Sequence, residues 1–100
     1  FVISQTNTIE GLEVREVWAV GYATEQEIPA KVMKRLLEAN ADLILGQWSI
    51  VEMGNQNMAI FRVHMDANPD AKTLESIVNI VASTADEMEK ELHGADSDEL

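Results

Sequence analysis

From Leu74 to Leu92 apolar residues recur at spacings of four and three: Leu74, Val78, Val81, Ala85, Met88 and Leu92. Ile77 and Ala82 widen the stripe. A helix of 3.6 residues per turn gathers these side chains on one side and leaves the other polar, so the spacing predicts about six turns of amphipathic helix. Asn68 suits its N-cap, Pro69 the first helical position, and Asp70 the first turn, where the helix dipole favours an anion. Gly94 marks its end. A long one-sided helix draws its stability from packing. The rest of the chain must therefore supply a matching apolar surface.

Alternating stretches supply it. Leu12, Val14, Trp18 and Val20 share one parity, interrupted by Glu16, and Val17 and Ala19 take the other. Phe1 to Gln5 can pair with this strand as a hairpin, with the polar residues and glycine of Thr6 to Gly11 as the turn. A second pair follows. Gln47 to Met53 carries Trp48 and Ile50 on one face and Val51 and Met53 on the other. Met58 to Met65 carries Ala59, Phe61, Val63 and Met65 on one face, and Met58, Ile60, Arg62 and His64 on the other. Gly54-Asn55-Gln56-Asn57 between them is a hairpin signal. Both faces are partly apolar, which suits a sheet covered fully on one side and partly on the other.

Between the hairpins Ile28, Val32, Leu36, Asn40 and Leu43 run down one face of a helix. Thr24 with Glu27 has capping-box spacing, and Pro29 suits its first turn. The predicted class is α+β: an antiparallel sheet with helices packed on it, in the order β-β-α-β-β-α. Residues 1–94 form one domain, and residues 95–100 an acidic flexible tail.

The chain has 100 residues, 46% of them hydrophobic, enough for a core without crosslinks. Its formal net charge of −11 repels phosphate backbones and anionic membranes and favours a basic partner segment. There is no cysteine, so disulfides, thiolate chemistry and a zinc site of the usual Cys type are excluded. No apolar run approaches the roughly 20 residues of a membrane-spanning helix. Phe1-Val2-Ile3 reads as the middle of a strand, so a preceding segment is expected.

The stretch Leu36-Leu37-Glu38-Ala39-Asn40, followed by Gly46 and Trp48 opening a hairpin and then the long acidic helix, resembles the YbjN family of bacterial sensory transduction regulators. The resemblance implies the fold of type III secretion chaperones, a small acidic protein that is often dimeric, and no known catalytic residues. It also implies a helix ahead of the first strands, which this sequence lacks.

Candidate chemistry is sparse. His64 and Asp66 share a strand parity and could act as base and orienter, but no nucleophile with a supporting motif accompanies them. Ser49 has no Gly-x-Ser-x-Gly context. Asp66 to Asp70 starts like a calcium loop, yet the required glycine is Ala71 and the bidentate glutamate position is Ile77. Lys31, Lys34 and Arg35 form a basic cluster that reads as a solvated helix face paired with Glu27 and Glu38. His93 suits the negative end of the last helix. Ser97 to Leu100 only superficially resembles a retrieval signal.

The expectation is therefore a non-enzymatic protein-binding domain, chaperone-like or regulatory, acting as a cytoplasmic homodimer that captures a partner segment. No metal or cofactor is expected, and neither nucleic acid nor membrane is a partner. Trp48, Met58 and Ile60 are the candidate partner or dimer surface, against plain core packing as the alternative. The rival function is a small-ligand or enzymatic domain with a pocket between helix and sheet, using His64 with Lys34 or Arg35.

Overall fold

A computed structural model describes the backbone of residues 1–98 and the side chains of residues 1–93. Its elements are β1 (Val2–Ile3), β2 (Asn7–Ile9), β3 (Leu12–Thr24), α1 (Ala30–Asp42), β4 (Gln47–Met53), β5 (Gln56–Asp66) and α2 (Ala71–Asp98). The class is α+β, with an antiparallel sheet and two helices, and the order is β-β-β-α-β-β-α. The extra strand arises because the predicted first strand is broken. β1 and β2 both pair with β3, but Ser4, Gln5 and Thr6 stand opposite only Arg15 and Glu16. The Ser4 amide donates to the Glu16 carbonyl at 2.8 Å, whereas the Glu16 amide donates to the Ser4 hydroxyl at 2.8 Å. The serine side chain stands in for a ladder carbonyl, and the strand bulges there.

The hairpins close tightly. Glu10 and Gly11 both have positive φ, 51° and 79°, as a two-residue type I′ turn requires. In the second hairpin Met53 pairs with Gln56 across Gly54-Asn55, and Gly54 has φ 61°. Both central strands run longer than alternation predicts, β3 to Thr24 and β5 from Gln56 to Asp66.

The helices start later than their signals. Thr24 is the last residue of β3, and its Oγ1 accepts from the Gln26 amide (3.2 Å), so the predicted capping box does not form. α1 begins after Pro29, whose carbonyl accepts from the amides of Val32 and Met33. At α2 the cap is Asp70, not Asn68: its Oδ1 accepts from the Thr73 amide at 2.7 Å. The Asn68 amide donates instead to Asp66 Oδ1. α2 continues through Gly94 to Asp98, over most of the predicted tail. A glycine inside a helix costs about 1 kcal/mol relative to alanine, which does not by itself end one. Glu99, Leu100 and the side chains from Gly94 onward lie outside the described residues, and with them the retrieval-like ending.

The sheet order is β1-β3-β5-β4, with β2 in line with β1 on the outer side of β3. Both helices pack on one face. Val17, Trp48, Ala59, Phe61 and Val63 from the strands meet Ile28, Val32 and Leu36 of α1 and Val81, Ala85, Met88 and Leu92 of α2. Burying such side chains contributes roughly 1.5–3 kcal/mol each for the larger ones.

Candidate functional site: the uncovered face of the sheet

Strand parity decides which residues the helices cover. With Phe61 and Val63 inward, the opposite face carries Met58, Ile60, Arg62 and His64 of β5. Cross-strand pairing adds Trp18 opposite Arg62, Val20 opposite Ile60 and Glu16 opposite His64 from β3. Ser49 opposite Ile60 and Val51 opposite Met58 come from β4. The buried cluster that holds both helices contains none of these residues.

The centre of this face is apolar. Trp18 is half-buried, with Val2 of β1 on one side and Arg62 on the other. Val20 and Met53 are exposed, and Met58 and Val51 are half-buried. Ile60 is only 3% exposed although it lies outside the helix-bound core, so its same-face neighbours cover it. Next to Trp18 sits one ionic cluster. Glu16 Oε2 accepts from Arg62 at 2.6 and 3.2 Å and lies 3.2 Å from His64 Nε2.

The structure splits the surface expected from sequence. Met58 and Ile60 share the uncovered face, but Trp48 does not. It pairs with Phe61, so it points to the helix side, where it is 5% exposed and its ring lies 5.5 Å from that of Phe61. It is core, and Ile60 is too buried to be a contact residue by itself. Trp18 holds the place assigned to Trp48. The signal for it was in the sequence: Glu16 interrupts the Trp18 parity, and a charge between apolar residues marks the strand face that no helix covers.

Asn40, Gly46 and Trp48 form one knot. The Asn40 side chain accepts from the Trp48 amide (2.6 Å) and donates to the Trp48 carbonyl (3.1 Å). It thereby occupies both outward groups of β4 at that point, as a neighbouring strand would. Gly46, at φ 83°, lies so close to Phe61 and Val63 that a Cβ would come within 2.6 and 2.8 Å of them. The Trp48 ring lies equally close over Gly21, the extra residue of a β3 bulge between Val20 and Tyr22.

The polar candidates separate. His64 faces Glu16, whereas Asp66 accepts from Asn68, so they form no dyad. Lys34 lies 3.9 Å from Glu38, its i+4 neighbour, and Arg35 makes a bidentate pair with Glu91 of α2 at 2.6 and 3.0 Å. That hydrogen-bonded pair holds the Glu91 carboxyl below its ordinary range and raises Arg35 further. Arg35 and Lys34 stand on the helix side and His64 on the other side of the sheet, so they do not share a pocket. A depression of about 260 Å³ beside Arg35 and Glu91 has Trp48 in its lining, and one of about 490 Å³ lies between the end of β3 and Glu89, Leu92 and His93. Among the described residues no group of three or more His, Asp or Glu is arranged to hold a metal ion. No described helix is long and apolar enough to cross a membrane. Compared with protein-family models, curated proteins and solved structures, the chain matches none.

Proposed function

We propose that the chain is a non-catalytic protein-binding domain, chaperone-like or regulatory, whose binding surface is the uncovered sheet face centred on Trp18. One observation carries this reading: an antiparallel sheet displays Trp18, Val20, Met58, Val51 and Met53 on a face that no helix covers. Contiguous apolar surface on a folded domain usually marks an interaction site. Tryptophan, methionine and arginine are the residues enriched there. The polar groups agree with the same reading, because His64 faces Glu16 while Asp66 closes a turn on the Asn68 amide, so the pair that could have acted as base and orienter is not brought together. The sequence resemblance to YbjN proteins, with the type III secretion chaperone fold it implies, agrees with a regulatory or chaperone-like role in a bacterial cytoplasm. The test is photo-crosslinking in cells with benzoylphenylalanine in place of Trp18. Discrete protein adducts are expected, and the same substitution at exposed Asp86 on α2 yields none of them. Indistinguishable adduct patterns at the two positions overturn the reading.

A further inference from the structure

β3 is longer than what pairs with its outer side. β2 and β1 reach only from Leu12 to Trp18, and among the described residues no strand lies against that edge from Ala19 to Thr24. Main-chain groups turn to alternate sides along a strand. Both groups of Glu16 turn outward, to Ser4, so those of Val20 do as well. Past the bulge Tyr22 takes over from Ala19 the side that faces β5, which turns Ala23 outward. An edge left open in this way is a template for a further strand. The bulge at Gly21 interrupts it for a long flat strand, while a short segment can still meet Val20 and Ala23.

The depression of about 490 Å³ lies along this edge. Consecutive residues from Val20 to Thr24 line it, together with Glu89, Leu92 and His93 of α2. A hollow over one sheet face would meet alternate residues of the strand, so this one follows the edge. Buried Leu92 and half-buried Tyr22 give it an apolar floor. Its charge is one-sided: no lysine or arginine is among the described residues that line it, and Glu89 has no ion-pair partner among the described residues. On a chain of net charge −11 that carboxylate selects a cation. We infer that the groove takes an extended basic segment of another protein, added to the outer side of β3 as a short further strand. Val20 to Thr24 span about 16 Å at ~3.3 Å per residue, which matches about five residues of the partner. The partner's main chain meets Val20 and Ala23, and its alternate side chains turn toward α2, where a lysine or arginine reaches Glu89. This site is separate from the apolar face around Trp18 and does not depend on it.

The test titrates a capped Lys-Val-Lys-Val-Lys peptide into the whole natural chain and follows its amides by nuclear magnetic resonance. The Val20 and Ala23 amide signals should move, and their hydrogen exchange should slow. The same peptide methylated on every main-chain nitrogen keeps its charge but has no amide to donate. It should bind at least about 10-fold more weakly. Ala23→Pro should lose a similar factor, because it removes the outward amide at a place where an edge strand tolerates proline. Glu-Val-Glu-Val-Glu should not bind. Equal affinity for the methylated and unmethylated peptides overturns the inference, since it reduces the contact to bulk charge. Absence of binding overturns it too, as does slow exchange of Val20 and Ala23 in the free natural chain, where the edge is then already paired. Signal changes confined to Trp18, Met58 and their neighbours overturn the edge site and leave the reading of the uncovered face standing. Binding at Val20 and Ala23 without any adduct specific to position 18 supports the edge site and defeats that reading alone.

Discussion

Asn40 does for Trp48 what a sixth strand would do, and the two groups it satisfies are main-chain groups beside a buried ring. Asn40→Ala leaves both without a protein partner, and a loss of about 1–3 kcal/mol is expected in urea unfolding. The glycines separate two costs that usually come together. Gly46 and Gly54 both have positive φ, but a Cβ at Gly54 meets nothing within 4 Å, whereas at Gly46 it meets Phe61, Val63 and the Arg62 carbonyl. Gly54→Ala should show only the backbone strain, roughly 1–2 kcal/mol. Gly46→Ala should be worse by a further 1–3 kcal/mol or so, the usual cost of overpacking. Equal unfolding midpoints for the two variants would mean that the contacts around Gly46 give way freely. Little of this is legible in the sequence. Asn40 reads as one more position on the α1 face, and nothing local says that its amide reaches a strand eight residues away.

At the level of elements, alternation and helical spacing carry most of the fold. The faces of β4 and β5 and the inward stripe of α2 follow directly from residue parity and the 3.6-residue period. Element starts do not, because several residues compete for each cap. Asp70 wins over Asn68 since its carboxylate sits three residues before the Thr73 amide, while Asn68 is drawn into a turn closed by Asp66. The break between β1 and β2 depends on a serine hydroxyl taking a main-chain role, which composition cannot announce. The Asp70 cap has a pH signature. The Thr73 amide, aided by the Thr73 hydroxyl, holds the Asp70 carboxyl below its ordinary 3.8. Its folded value is depressed, so its stabilisation is complete above the unfolded value and is lost as pH falls through the folded one. Asp70→Asn keeps an acceptor that does not titrate. Its stability should therefore fall less steeply than that of the natural chain below pH 3.8, measured by urea midpoints across the acid range.

For the molecule as a whole, Glu16 marks the uncovered face of β3, but the sequence leaves open which face of β4 joins it. Trp48 and Trp18 both look like core residues, and only the assembled register sends them to opposite sides. That separation makes the two indoles independent fluorophores. Trp48, enclosed between sheet and helices, responds when the fold melts. Trp18, half-buried on the far side, responds when that face gains or loses a cover. When a protein partner covers that face, the emission of the natural chain should shift to the blue with no change in circular dichroism, and Trp18→Phe should abolish that shift while keeping the unfolding signal. A blue shift on partner binding that persists in Trp18→Phe would assign the change to the core. Because its two tryptophans lie on opposite faces of one sheet, the protein carries separate optical readouts of its folding and of its company.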